Sequence, residues 1–137
     1  MEEKNLEKDL REIVGERVTT SHFERWFYAN DLMPIPKMIK TLFKTMPAAV
    51  VKPRTVQEIS AVLSYCSYNQ ITVVARGGGS SGLFGAVPKR GGILLDLTDL
   101  SEVVEVDEIG EFVTTEAGVT WWELDRRLKS EGFAVRS

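Results

Sequence analysis

Helical spacing of apolar positions is the dominant pattern in the first 46 residues. Apolar side chains three to four positions apart predict an amphipathic helix over residues 4–14. The S-x-x-E sequence of Ser21–Glu24 is a capping-box pattern and predicts the start of a second helix. Helical spacing recurs over residues 37–45, where the lysines are expected to form a solvated face. Residues 28–36 contain two prolines and predict an irregular connector, so this region is expected to be a helical arm in front of the main domain.

The second predicted helix carries three aromatic residues on one face, Phe23, Trp26 and Phe27. Aromatic side chains supply much of the burial energy of cores and interfaces, so this stripe indicates core or interface and not a cofactor site. His22 is the only histidine and is expected at the surface beside the helix cap.

Residues 48–74 change to an alternation of strand and helix. The stretches 48–51 and 71–74 are short and apolar, and they predict buried strands. Between them, T-x-x-E at Thr55–Glu58 predicts a capped helix. Its expected buried face consists of Ile59, Val62, Leu63 and Cys66. Strand, helix and strand in this order predict a βαβ unit, and ligands usually bind at the carboxyl ends of strands in such sheets.

A run of glycine and serine, Arg76–Gly82, follows the second of these strands directly. A backbone without β-carbons can turn successive N–H groups inward and form a concavity that binds anions. The hydroxyl groups of Ser80 and Ser81 can donate to phosphate oxygens, and Arg76 or Lys89 can add positive charge. A Gly/Ser run by itself is more often a flexible surface loop. Here the apolar strands on both sides favour a structured phosphate-binding loop.

The same glycines imitate a nicotinamide-dinucleotide fingerprint. Gly77, Gly79 and Gly82 fit G-x-G-x-x-G, and Asp96 follows at about the spacing of the fingerprint's acidic residue. That fingerprint requires a helix directly after the glycines. Proline and further glycines make a helix over residues 83–91 improbable, and the next strand begins too soon for a crossover connection. The sequence therefore disfavours the nicotinamide alternative.

The second half of the chain is expected to be strand-rich. A buried strand over residues 93–97 is followed by two strands, near 103–106 and 112–119, that predict a hairpin. Thr120–Glu123 is a third capping box, and its helix is expected to end at Gly132. The expected buried face of this helix consists of Trp121, Leu124 and Leu128. A last strand is predicted at Phe133, Ala134 and Val135.

Composition excludes several classes of function. The 137 residues suit one domain, and a net charge of -3 argues against nucleic-acid binding through bulk electrostatics. A single cysteine, Cys66, cannot form an internal disulfide, so a cytoplasmic location is expected. The acidic start and the lack of a long apolar run predict neither a signal peptide nor direct membrane insertion. Cys66 and His22 lack neighbouring ligands, so no metal site is expected and Cys66 is interpreted as a small buried hydrophobe.

Four segments between residues 47 and 135 carry a family resemblance: PAAVVKPRTVQEISAVL, ITVVARGGGSS, GAVPKRGGILLDLTDL and EAGVTWWELDRRLKSEGF. With them the chain resembles the first half of the flavin domain of p-cresol methylhydroxylase / vanillyl-alcohol oxidase-type flavoproteins, especially glycolate oxidase flavoprotein subunits and D-lactate dehydrogenases. The resemblance implies an α+β fold, an incomplete PCMH-type FAD-binding domain. Its parts would be a helical arm (1–46), a first lobe with the glycine loop (47–100) and the start of a second lobe (101–137).

The resemblance also implies FAD as the cofactor, with its pyrophosphate held by backbone amides of the glycine loop between two lobes. The positions that match the family's cofactor site are Arg76, Gly77, Gly78, Gly79, Ser80, Ser81, Gly82, Gly85, Ala86, Gly118 and Val119. Relatives that attach FAD covalently in this loop have histidine where this chain has Ser80, so non-covalent binding is expected. Phe84 departs from the family pattern, because many relatives have glycine there.

The activity implied by the resemblance is oxidation of a D-2-hydroxy acid, such as lactate or glycolate, by hydride transfer to FAD. Family members continue into a second glycine-rich FAD segment and a substrate domain that this sequence does not include, so no catalytic residue is assigned. The alternatives are a non-catalytic FAD-binding or assembly subunit of a split flavoprotein, a truncated gene product, or a nicotinamide-binding module. The expected partners are the hydroxy-acid substrate and either a second copy of the chain or a complementing polypeptide.

Overall fold

The computed structural model of the chain describes residues 3–30, 36–80 and 82–135. Its elements in chain order are α1 Glu3–Val14, β1 Val18–Thr19, α2 His22–Tyr28, α3 Lys37–Leu42, β2 Ala49–Val51, α4 Val56–Tyr68, β3 Val73–Arg76, β4 Ile93–Asp96, β5 Val103–Asp107, β6 Phe112–Thr115 and α5 Trp121–Ser130. The predicted α+β class is confirmed. Most of the predicted connector, residues 31–35, lies outside the described residues.

A four-stranded sheet in the order β1-β2-β4-β3 forms the centre of the fold. The strands β2, β4 and β3 run parallel, and the two-residue strand β1, which the sequence did not predict, pairs antiparallel to β2. Every residue of β2 and β4 is buried. Central parallel strands are covered on both faces, which explains their continuous apolar sequence.

The connection between β3 and β4 differs from the expectation. These strands are parallel neighbours, in register from Val73 opposite Ile93 to Arg76 opposite Asp96. The prediction that β4 begins too soon for a crossover is therefore wrong, since residues 77–92 complete one. The described residues between 82 and 92 contain turns, bends and a single bridge at Arg90, without a helix. Extended loop can cover the distance because a crossover needs only about a dozen residues.

The main core lies between the sheet and helices α1 and α4. Leu6, Leu10 and Val14 of α1 pack in the same apolar cluster as Val62 and Cys66 of α4. Cys66 is 1% exposed within this cluster, which confirms the prediction that it is a small buried hydrophobe, and the burial raises the pKa of its thiol to about 11. The arm-and-lobe boundaries at residues 46 and 100 stay a prediction.

Helix α4 departs from its sequence pattern in two respects. Thr55 caps the helix by accepting a hydrogen bond from the Glu58 N–H at 3.1 Å. The Glu58 carboxylate does not complete the predicted box, because it receives a bidentate pair of hydrogen bonds from Arg17, at 2.7 and 2.5 Å, and one from the Arg54 N–H. Leu63, predicted to be buried, is exposed. Pairing with Arg17 replaces only the carboxylate half of the box, because a bidentate ionic pair is the stronger interaction.

The aromatic stripe of α2 is exposed within the described structure. None of the residues of α2 is buried, and Phe23 is 74% exposed, so burial of the stripe in this chain's own core is excluded. His22 is exposed, as predicted. Ser21 stands at the N-cap position without a side-chain hydrogen bond to the helix, so the predicted box at Ser21–Glu24 is wrong.

The second half of the chain forms the predicted hairpin and a capped helix. Strands β5 and β6 pair antiparallel, with an irregularity between Val103 and Glu105. The capping box of Thr120 and Glu123 is confirmed in both of its hydrogen bonds. Two predictions are wrong. Residues 133–135 are irregular and do not form a strand, and Trp121 is exposed while Leu124 and Leu128 form the buried face of α5.

Candidate functional site

The glycine loop begins at the edge of the sheet where the parallel strands end. Arg76 and Asp96 are the last residues of β3 and β4, and Lys52 follows directly after β2. Charged side chains from three strands therefore meet at the carboxyl edge, where α/β sheets generally bind ligands. Two of these groups, Arg76 and Asp96, are buried polar residues, at 9% and 3% exposure.

The backbone of the loop has the conformation that glycine permits. Gly79 and Gly82 have φ angles of +63° and +67°, and a β-carbon on Gly78 would meet only open space. Within the described part of the chain, the N–H groups of residues 77–80 donate no hydrogen bond to another residue. Exposed main-chain donors in a turn are the groups that anion-binding concavities use. Ser80 is exposed at this loop, whereas Ser81 lies outside the described residues.

The Arg76 side chain turns back under the loop. Its Nη1 donates to the carbonyl oxygen of Asn30 at 3.0 Å, and its guanidinium carbon lies 5.5 Å from the centre of the Tyr28 ring. A β-carbon on Gly79 would overlap the same guanidinium group. Arg76 therefore supports the loop from behind and places a positive charge against its backbone.

A hydrogen-bonded cluster joins the end of α2 to the sheet edge. The Tyr28 hydroxyl donates to Asp96 Oδ2, and Lys52 Nζ lies 3.7 Å from the same oxygen. Asp96 Oδ1 accepts from the Thr98 N–H and hydroxyl at 3.0 and 2.6 Å. With Arg76, the side chains of this cluster carry a net charge of about +1 at neutral pH, which suits an anionic ligand.

The cluster shifts the pKa values of its members in directions that preserve these charges. Burial opposes ionisation of Asp96, but hydrogen bonds from Thr98 and Tyr28 outweigh it and lower the pKa of the carboxyl group. Burial, assisted by the bond to Asp96, raises the pKa of the Tyr28 hydroxyl. Burial opposes the Lys52 charge, yet Tyr28 and Asp96 raise the pKa of the ammonium group overall. Tyr28 consequently remains a hydrogen-bond donor and Asp96 an acceptor around neutral pH.

A turn from the second half of the chain reaches the start of the glycine loop. A β-carbon on Gly77 would come within 3.1 Å of the Ala117 carbonyl oxygen. Gly118 is buried, donates its N–H to the Leu100 carbonyl oxygen at 2.8 Å, and has no room for a β-carbon beside the Leu97 carbonyl. The structure thus brings the predicted site residues Gly77, Gly118 and the adjoining Val119 into one region.

The predicted site residues Gly85 and Ala86 are not joined to this region by a described contact. They lie in the turn that the Val87 N–H closes on the Phe84 carbonyl oxygen at 3.3 Å. Phe84 has a φ of +58°, in the left-handed region that strongly favours glycine. A bulky residue with this φ is a backbone outlier. Lys89 is exposed, and its described main-chain contact is with Lys44.

The sequence missed three side chains of the site, Tyr28, Lys52 and Thr98. The sequence pattern places Tyr28 in an irregular connector, and no local pattern links it to Asp96, 68 positions away. The sequence marks Asp96 only through its spacing from the glycines, which imitates the nicotinamide fingerprint. Among the described residues, no group of three His, Cys, Asp or Glu side chains is placed to hold a metal ion.

The residues present fit the diphosphate of a dinucleotide. The loop offers main-chain donors at a sheet edge, glycines whose conformation and spacing leave the backbone accessible, and a buried guanidinium behind it.

No helix in the described part of the chain is long and apolar enough to cross a membrane.

Residues 47–137 match the protein family described as FAD binding domain. The glycolate oxidase subunit GlcD of Bacillus subtilis (strain 168) is 30% identical over 130 residues, which cover 94% of this chain and 26% of that protein. The mitochondrial D-lactate dehydrogenase (cytochrome) of Arabidopsis thaliana is 27% identical over 129 residues, covering 94% and 22% of the two chains. The chain therefore spans about a quarter of the length of these curated relatives.

Solved structures share the fold over nearly the whole chain. 4-Ethylphenol oxidase from Gulosibacter chungangensis, in an isoeugenol complex, superposes with a TM-score of 0.82 at 22% identity, over 94% of this chain and 24% of its own. p-Cresol methylhydroxylase with substrate bound superposes with a TM-score of 0.80 at 22% identity, over 95% and 25%. Together with the sequence match, these similarities show that the chain belongs to the FAD binding domain family, has the p-cresol methylhydroxylase-type fold, and has FAD as its cofactor.

Proposed function

We propose that residues 77–82 bind the pyrophosphate of FAD without a covalent bond, in an oxidoreductase that acts on a D-2-hydroxy acid such as lactate or glycolate. The observation that carries this proposal is the glycine loop itself, with free main-chain donors at the carboxyl edge of the sheet. The names of the relatives, a glycolate oxidase subunit and a D-lactate dehydrogenase, support the substrate class.

The chain's own residues would bind and orient the cofactor. The amides of residues 77–80 would donate to phosphate oxygens, the Arg76 guanidinium would add positive potential from behind, and Gly118 and Val119 would border the loop from the second lobe. When bound, FAD supplies the hydride acceptor, while the protein supplies binding and electrostatics. No residue of this chain is assigned to acid or base chemistry, so catalysis would use groups from the remainder of a longer chain or from a complementing polypeptide.

The nicotinamide alternative conflicts with the loop that follows the glycines. A dinucleotide fingerprint places its phosphates at the N-terminus of a helix, and the described residues from 82 to 92 are turns and bends. The split-subunit alternative is favoured by the exposed aromatic residues of α2. In that case the missing part of the domain would be a separate polypeptide.

The flavin absorption spectrum of the purified protein tests the proposal. We expect a yellow protein that releases FAD on denaturation, or a colourless one that takes up FAD once the polypeptide completing the domain is added. Gly79→Val should abolish FAD binding, because the substitution adds a branched side chain at a φ of +63° inside the loop. Gly15→Val is the matched control, since Gly15 has a φ of +66° but lies after α1. Failure of the wild-type protein to bind FAD in both settings, or full flavin content in Gly79→Val, would refute the assignment.

A further inference from the structure

Tyr28 connects the end of α2 to the sheet edge from which the glycine loop begins. It is the last residue of α2, yet its side chain reaches the ends of β2, β3 and β4. Its hydroxyl group contacts Asp96, and the face of its ring receives the Arg76 guanidinium. The Phe27 ring packs edge-on against it, with ring centres 5.6 Å apart.

The Tyr28 ring and the Asn30 carbonyl are the described partners that hold the Arg76 guanidinium. Both belong to the segment at the end of α2, outside the sheet that carries the loop. The same guanidinium lies against Gly79, where a β-carbon would overlap it. The end of α2 therefore determines where the positive charge stands relative to the loop backbone.

We propose that Tyr28 is a positioning residue for the phosphate loop: its ring holds the Arg76 guanidinium behind Gly79 and thereby sets the affinity for the FAD pyrophosphate. This inference rests on the proposed function of the loop. The ring and the hydroxyl group of Tyr28 make separate contacts, the ring with Arg76 and the hydroxyl with Asp96. Asp96 keeps its bonds from Thr98 and its contact with Lys52 without the hydroxyl, whereas Arg76 loses an aromatic partner only when the ring is removed.

Two substitutions distinguish the contribution of the Tyr28 ring from that of its hydroxyl group. Tyr28→Phe keeps the ring and removes the hydroxyl, and Tyr28→Leu removes both. Phe23→Leu is the matched control, since it makes the same aromatic-to-leucine change on α2 at a side chain that is 74% exposed. A cation over a partly desolvated ring is sufficient to change an equilibrium by about tenfold, so this is the expected size of the effect of Tyr28→Leu.

Cleavage by trypsin reports the position of Arg76 without FAD. Trypsin must take an arginine or lysine side chain into its pocket. The Arg76 side chain is buried, whereas Lys89 in the same connection is exposed and serves as the internal reference. We expect the ratio of cleavage after Arg76 to cleavage after Lys89 to rise about tenfold in Tyr28→Leu and to stay within about twofold of wild type in Tyr28→Phe and Phe23→Leu. An unchanged ratio in Tyr28→Leu would overturn the inference. This includes the case in which general loosening of the fold speeds cleavage equally at both sites.

Titration with FAD, followed by flavin fluorescence, gives the second measurement. The Kd should rise about tenfold in Tyr28→Leu and be restored close to wild type in Tyr28→Phe. A raised cleavage ratio with an unchanged Kd would overturn the role of Tyr28 while leaving the proposed function intact. A wild-type protein that binds FAD neither alone nor with the polypeptide that completes the domain would refute the proposed function, and the inference with it.

Discussion

Gly79→Ala tests whether the Arg76 guanidinium supports the glycine loop. The substitution introduces a single β-carbon, which would overlap that guanidinium in the observed conformation. We expect the Arg76 side chain to move and to lose its hydrogen bond to Asn30 and its contact with the Tyr28 ring, because both contacts hold the guanidinium in the overlapping position.

Three contributions determine the expected loss of stability. Alanine at a φ of +63° costs about 1 kcal/mol after allowance for the lower entropy of the unfolded chain. The charge-assisted hydrogen bond to Asn30 contributes about 1.5 kcal/mol or more. The cation–π contact contributes about 0.5–1 kcal/mol. The sum is about 3 kcal/mol, a large part of the free energy of unfolding of a small domain.

Two glycines in the chain isolate these contributions. Gly15 has a φ of +66° and no atom near its missing β-carbon, so Gly15→Ala measures the backbone cost alone, about 1 kcal/mol. Gly78 adjoins Gly79, lacks a positive φ and faces open space, so Gly78→Ala should leave the free energy of unfolding within about 0.5 kcal/mol of wild type.

Urea denaturation of the three variants and wild type, without added FAD, measures the differences in the free energy of unfolding. The expected order of destabilisation is Gly79→Ala, then Gly15→Ala, then Gly78→Ala. If Gly79→Ala destabilises the protein no more than Gly15→Ala does, the guanidinium is not held behind the loop, and the reasoning about Arg76 fails.

Other contacts lead to three further predictions. Hydrogen bonds from Arg17 hold the pKa of Glu58 at about 2, below its ordinary 4.5, so the stability gained is complete above about pH 5 and is lost as the pH falls toward 2. The full shift corresponds to about 3 kcal/mol, and partial solvent exposure reduces the expected contribution to about 1–2 kcal/mol. Glu58→Gln should therefore flatten the loss of stability between pH 5 and 2 in urea titrations, and a slope equal to that of wild type would contradict this. Native Cys66 should resist iodoacetamide at pH 8 and react after unfolding, because its thiol is buried with a pKa of about 11; rapid labelling of the native protein would count against its burial. Trp26→Ala should alter solubility or assembly, measured by light scattering, and a change confined to FAD affinity would argue against an interface role for the aromatic stripe.

Features encoded by neighbouring residues were predictable. The strands β2, β3 and β4 and the helices α1, α4 and α5 follow from apolar periodicity. The capping box at Thr120 is confirmed, since both of its partners lie within one turn. At Ser21 the predicted side-chain cap does not form. At Thr55 the Glu58 N–H donates to the threonine hydroxyl as predicted, but the Glu58 carboxylate is bound by Arg17, 41 positions before it. Local patterns define which residues can cap a helix, and distant partners decide whether they do.

The sequence by itself determined that a glycine-rich loop follows a buried strand and that its neighbours form an α+β domain, because composition and periodicity act over a few residues. Only the tertiary structure decided that β3 and β4 are parallel and that Arg76 faces the end of α2. These features depend on contacts between residues that are far apart in the chain, and strand direction and side-chain pairing leave no periodic trace in a single sequence. The site therefore depends on Tyr28, a residue that no local pattern marks, because folding brings its ring to the edge where the glycine loop begins.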